Sequence, residues 1–216
     1  MRAINPQPAP STNDARDVAP AAIARGARSQ RTRERVVDAL LRLVREGNFR
    51  PTAREISDEA GTSLRSVYVH FDDLEDLFCA ASERQAQSVA HLMTEIDTSR
   101  DFPSRRDAYV QQHVEVWEAI APVWVAAKLQ EAFSPSLAAI LASTRQRSDR
   151  YFRHVFAAEI AVLPASQRES IVTICETIAS TATWDQWRRL EQKSALECAQ
   201  TISLALTQLL ASGSSS

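Results

Sequence analysis

Only four of the 216 residues are glycine and only three are cysteine. All-β folds need many tight turns, so this shortage of glycine argues for helices. Cys79, Cys175 and Cys198 are odd in number, far apart and form no CxxC, which reads as reduced, mostly buried small hydrophobes. His70, His91, His113 and His154 form no HxH or HxxxH pair, so no metal site is expected. There is no glycine-rich phosphate loop and no nucleophile elbow, so no catalytic residue and no cofactor are expected either. The longest apolar run, Ala119 to Ala127, is far too short to cross a bilayer and contains Pro122. The opening "MRAINPQPAPSTNDARDVAP" is polar and proline-rich, without a hydrophobic signal core, which points to the cytoplasm.

What is present is enough apolar content for a core (44%) and an uneven distribution of charge. The net charge is only −2, but Ala22 to Phe71 carries ten arginines against six acids, and the chain from Asp72 onward carries 13 basic against 19 acidic residues. A basic front end suggests a polyanionic partner, although a charge run is more often a solvated face. Residues 1–28 read as a disordered basic arm. Arg16, Arg25 and Arg28 lead into Arg31, Arg33 and Arg35, and the arm is either a solvated leader or a segment that follows DNA.

A first helix is expected from near Ser29 or Thr32, with Val36, Val37, Leu40, Leu41 and Val44 as its apolar stripe and Gly47 just past its end. Thr52-Ala53-Arg54-Glu55 has the pattern of a capping box and opens a helix running to Ala60. Gly61 ends that helix, and Ser63 caps the next, Leu64 to His70, with Leu64, Val67, Tyr68 and Phe71 facing inward. Asp72 is expected to cap a long fourth helix, 73–96. A further helix ends before Pro122, which opens another to about Phe133. The remaining helices start at Ser134-Pro135, after Pro164 (running into the Trp184–Trp187 region) and near Ser194. No repeat and no alternating strand pattern occurs.

Two short helices around a glycine turn, braced by a third, form a helix-turn-helix, whose second helix fits the major groove. The segment Thr52 to Phe78 closely resembles the TetR family of bacterial transcriptional regulators, through Thr52, Ile56, Ala60-Gly61-Thr62-Ser63, Val67-Tyr68, His70-Phe71 and Leu77-Phe78. Upstream, Val36, Asp38-Ala39, Gly47 and Phe49 also fit. The resemblance implies an all-α fold: a helix-turn-helix DNA-binding domain at 29–78, then a larger helical domain at 79–211 for effector binding and dimerisation, then a flexible tail at 212–216. It implies a double-stranded operator DNA as partner, contacted by Thr52, Arg54, Ser63, Arg65, Ser66, Tyr68 and His70. Of these, Arg65 and Ser66 are at or near the bases, and Thr52, Tyr68 and His70 are on phosphates. The sequence departs from the family where "FDDLEDLF" puts Leu74 and acids in place of a common lysine.

By the same resemblance, a small hydrophobic or aromatic effector would bind among His113, Trp117, Trp124, Thr177, Thr181 and Trp184. Aromatic residues at helical spacing are more often core than pocket. A homodimer built on the last two long helices would use Ile171, Ile174, Ile178, Ile202, Leu206 and Leu209. The implied function is a cytoplasmic, nucleoid-associated repressor released by its effector. The alternatives are an activator, a ligand-independent regulator, and a helical interaction module without DNA binding.

Overall fold

The computed structural model describes residues 20–211. The first 19 residues of the expected arm and the 212–216 tail lie outside them. Among the described residues the fold is all helical: α1 (Pro20–Arg45), α2 (Ala53–Glu59), α3 (Leu64–His70), α4 (Leu74–Val89), α5 (Phe102–Glu131), α6 (Pro135–Val155), α7 (Ala157–Val162), α8 (Arg168–Ile178), α9 (Thr181–Asp185) and α10 (Ala195–Leu210). No helix among them is long and apolar enough to cross a membrane.

The first helix begins earlier than the apolar stripe predicts. Its start at Pro20 takes in residues 20–28 of the expected disordered arm. Proline suits a helix's first turn, where its missing N–H has no partner to lose, and the alanines that follow are the best helix formers. The stripe itself is as expected, with Val36, Val37, Leu40, Leu41 and Val44 all buried. Gly47 and Gly61 carry the chain out of α1 and α2 at φ +94° and +59°, the left-handed region that glycine enters without a Cβ clash. A Cβ at Gly61 would meet no atom within 4 Å, so only backbone strain opposes substitution. Gly61→Ala should therefore cost about 1–2 kcal/mol, read as a drop of a few degrees in the melting temperature.

Two apolar cores form. The first packs α1, α2 and α3 against Leu77, Phe78 and Ala81 of α4, and is completed by Val123, Ala126 and Ala127 of α5 and Leu137 of α6. The second holds Tyr109, Val110 and Trp117 of α5 with residues of α6, α8, α9 and α10. Two helices, α5 and α6, thus serve both cores, and in α5 Pro122 sits between the two stretches of buried residues.

Pro122 does not open a new helix; it lies inside the 30-residue α5. Proline interrupts the hydrogen-bond ladder, but tertiary packing on both sides holds the helix together. The fourth helix is shorter than the expected 73–96. Its cap is Asp73, which accepts from the Asp76 N–H at 2.9 Å, and it ends at Val89 before a tight 3-10 turn at Ala90–Leu92. Beyond that turn side chains take over from the helical ladder: the Thr94 carbonyl accepts the Tyr151 hydroxyl at 3.0 Å, and the Thr94 hydroxyl donates to Gln112 at 3.2 Å. The helix after Pro164 also breaks, at Ala179. The Ser180 and Thr183 hydroxyls both donate to the Thr177 carbonyl at 2.7 Å, and Ser180 caps α9. This is the local competition by which serine and threonine end helices.

A buried ion pair ties α5 to α7. Arg105 of α5, 4% exposed, donates to both oxygens of Glu159 on α7 (3.0 Å to Oε2), and its Nε donates to the Arg100 carbonyl at 3.0 Å.

Candidate nucleic-acid interface

The helix-turn-helix is built by local rules. Thr52 caps α2 in a reciprocal box: its hydroxyl accepts from the Glu55 N–H at 3.2 Å, and the Glu55 carboxylate accepts from the Thr52 N–H at 2.7 Å. Those bonds from Thr52 hold the Glu55 carboxyl below its ordinary range. The Thr52 hydroxyl also lies 2.7 Å from Glu55. Both Thr52 donors therefore point at a carboxylate, and a phosphate arriving there has to displace it. Ser57 is buried, its hydroxyl on the Arg54 carbonyl at 2.8 Å, so α3 can cross α2 closely. The Thr62 N–H closes the turn on the Ser57 carbonyl at 3.0 Å. Ser63 caps α3 by accepting from the Ser66 N–H at 3.1 Å.

Only one side of α3 is held. Val67 and, just past the helix, Phe71 are buried, and the Arg33 guanidinium lies 4.7 Å from the Phe71 ring centre. Leu64 and Tyr68, expected to face inward, instead lie open at 42% and 54% exposure, and Val69 is 70% exposed. The reason is the shortness of α3. It lies across α1 and α2, so a single i, i+4 contact fills the available space and the rest of the helix stays in solvent. The open surface combines Arg65, exposed and without an ion pair among the described residues, with Leu64, Tyr68 and Val69; Ser66 and His70 are half-buried beside it. Arg54 is exposed on α2. This surface has the length and radius to enter a major groove, with a guanidinium for guanine and apolar groups for thymine methyls. Leu64 and Val69 were not among the expected contacts. Their mark in the sequence was two large apolar residues beyond those that one i, i+4 contact can bury.

The acidic segment after α3 turns mostly away from this role. Leu74 packs against the first core, Asp73 caps α4, and Glu75 accepts the Ser134 hydroxyl at 2.8 Å, joining α4 to the cap of α6.

The other expected sites fare differently. His113, Trp117 and Trp184 do come together, but as packed core, with ring centres 5.2 Å and 5.3 Å apart along the chain of contacts. Trp184 donates its indole N–H to Glu118 at 2.8 Å. Trp124 and Thr181 are half-buried, and Thr177 is exposed with its hydroxyl on the Thr173 carbonyl. A groove of about 490 Å³ opens elsewhere, between Thr94, Arg100, Gln112 and Glu115, and none of the six expected effector residues lines it. Of the expected dimer residues, Ile202 and Leu206 are fully buried in the protomer's own second core. With Cys198 and Leu210 they form the inward i, i+4 stripe of α10. The outward apolar residues are Ile174 on α8 and Leu196 and Leu204 on α10, at 47%, 67% and 61% exposure; Ile171, Ile178 and Leu209 are intermediate.

Burial pushes the Cys175 thiol up to about 12, which keeps it protonated. Burial likewise pushes the His113 imidazole down to about 4, although its Nδ1–H donates to the Tyr109 carbonyl at 2.8 Å. The unfolded chain then takes up a proton near pH 6.5 that the folded chain refuses, so stability is full above that pH and falls as the pH drops toward 4. Between pH 6.5 and 5 the loss should reach roughly 2 kcal/mol. Unfolding by denaturant across that window should show a visibly flatter dependence in His113→Gln.

Solved structures with this arrangement of helices are numerous. The chain is similar to a transcriptional regulator from Rhodococcus sp. Rha1, at 18% identity over 83% of this chain and 96% of that one, with a TM-score of 0.67. It is similar to a TetR-family transcriptional regulator from Streptomyces coelicolor, at 18% identity over 86% and 82%, with a TM-score of 0.68. The fold is that of the TetR-type regulators. A third TetR-fold likeness is to the multidrug binding protein EbrR, complexed with imidazole, at 16% identity over 82% of this chain and 94% of that one, with a TM-score of 0.56. No protein-family model and no curated protein matches the sequence. Within this chain α3 is the second of the two short helices around the Gly61 turn, and α4 follows it.

Proposed function

We propose that the protein is a TetR-type transcriptional regulator that binds a pseudo-palindromic operator as a homodimer and leaves it when a small hydrophobic or aromatic effector enters the body. The observation that carries this reading is the open face of α3. A seven-residue helix held by one inward contact and by Phe71 leaves Arg65, Leu64, Tyr68 and Val69 in solvent, a surface that has no structural use within the protomer. Arg65 is assigned to a base edge, Ser66 to a near-base position, and Tyr68, His70, Ser63, Arg54 and Thr52 to the sugar–phosphate backbone. Dimerisation is assigned to the outward side of α8 and α10, through Ile174, Leu196 and Leu204 with Ile171, Ile178 and Leu209 beside them. A two-fold axis there would give each protomer one half-site.

The effector is assigned to the aromatic cluster of α5 and α9, where admitting a ligand means parting Trp117 from Trp184. The closed packing of that cluster favours a second reading, a regulator of the same fold that needs no ligand. The test of the first part is selection of bound duplexes from a random pool by the full chain. A pseudo-palindrome with half-sites about one helical turn apart supports the reading, whereas a pool without sequence preference overturns it. Given that palindrome, screening aromatic and hydrophobic small molecules for release of bound DNA separates the two readings of the body.

A further inference from the structure

Gln85 is a buried polar residue with partners on two other helices. It lies about one turn before the end of α4 and is 5% exposed. Its Oε1 accepts from Arg45 Nη2, in the last turn of α1, at 2.8 Å. Its Nε2 donates to the backbone carbonyl of Ala119 in α5 at 3.2 Å. Ala119 is three residues before Pro122. The proline has no N–H for the carbonyl of Glu118, and its ring crowds the turn before it, so the ladder of α5 is one bond short there. The Gln85 amide reaches the next carbonyl along, that of Ala119, so it braces this turn without replacing the lost bond.

The place of that turn gives the contact its consequence. The buried residues of α5 before Pro122 belong to the core of the body, and those after it, Val123, Ala126 and Ala127, belong to the core of the helix-turn-helix unit. Pro122 is thus the softest point of α5, one of the two helices that both cores share (the other is α6), and Gln85 ties that point to α1.

We propose that Gln85 is a positioning residue, and that the Arg45–Gln85–Ala119 link at Pro122 fixes the angle at which the body holds the DNA-binding unit. The Glu75–Ser134 contact forms a second tie near the start of α4, so α4 is fastened at two points along its length and turns as one piece. Any displacement of α5 about Pro122 reaches α1 through Gln85. In a dimer, this angle sets the separation of the two α3 helices, which must match two successive major grooves at once. Loss of the link would widen the spread of separations and weaken two-site binding, while each α3 keeps its own contacts.

The inference rests on the regulator reading, and its test distinguishes the two. The full chain is measured by fluorescence anisotropy against the selected palindrome and against the same duplex with one half-site scrambled. Failure of the wild-type chain to bind either duplex sinks the regulator reading, and the inference with it. If the wild type binds, Gln85→Leu should lose about tenfold in affinity for the palindrome and stay within about twofold on the single half-site. Equal losses on both duplexes, or no loss on either, overturn the inference. Gln85→Glu, which keeps an acceptor for Arg45 but cannot donate to Ala119, should show the same selective loss and serves if the leucine variant does not fold. Adding Pro122→Ala to Gln85→Glu restores the N–H for the Glu118 carbonyl and stiffens α5 at that turn, which should recover part of the palindrome preference; no recovery contradicts the role given to Pro122.

Discussion

Arg65→Ala is expected to abolish sequence preference while leaving the protein folded and dimeric. Arg65 is exposed on α3 and makes no ion pair among the described residues, so its removal should leave melting behaviour unchanged. A bidentate arginine–guanine contact discriminates by about 1–3 kcal/mol, and a two-fold dimer makes it twice. The expected loss is therefore about 2–6 kcal/mol per dimer, or roughly 30-fold to 10⁴-fold in affinity for the operator. Binding to unrelated DNA should fall far less, because it depends on phosphate contacts elsewhere. Tyr68→Phe offers the contrast: the loss of one backbone contact should weaken all sequences about equally. Anisotropy titrations on the selected palindrome and on a scrambled duplex give both numbers. A uniform loss for Arg65→Ala would move that residue from base reading to phosphate binding.

Glu159→Ala is expected to be the most damaging single change in the body. It removes both carboxylate oxygens from Arg105, whose guanidinium is almost wholly buried. Breaking one side of a buried pair costs about 3–5 kcal/mol, because the remaining charge is left uncompensated. For a chain of this size that is a fall of roughly 10 °C in the melting temperature. The paired change Arg105→Met with Glu159→Leu should be milder, since no charge is stranded. It should not be neutral, because the Arg100 carbonyl loses the donor that Arg105 supplies. Differential scanning calorimetry of the three proteins decides it, and a single change that costs under about 1 kcal/mol would show that water reaches the pair.

The parts of this protein legible in its sequence are those governed by short-range chemistry. The Thr52–Glu55 capping box, the turn at Gly61, the Ser63 cap and the buried Val67 and Phe71 all follow from residue type and spacing within a few positions. What depends on how helices cross was not legible. Leu64 and Tyr68 look inward on a helical wheel, but α3 lies across its neighbours and has room for only one contact. Ile202 and Leu206 look like a dimer face because α10 is apolar on more than one side, and which side its own core takes is decided by α5 and α8. Pro122 reads as a helix start because the signal is local, whereas the packing that carries α5 through it is not. Gln85 gave no signal at all: a glutamine in an amphipathic helix is ordinary until its partners on α1 and α5 are seen.

The most direct measurement of the central claim is a hydroxyl-radical footprint of the full chain on the selected duplex, taken with the mass of the complex. Two protein chains per duplex, with two protected patches about 34–36 Å apart that both vanish in Arg65→Ala, are the predicted result. One chain per duplex, a single patch, or protection that survives Arg65→Ala would contradict a dimer that reads DNA through α3.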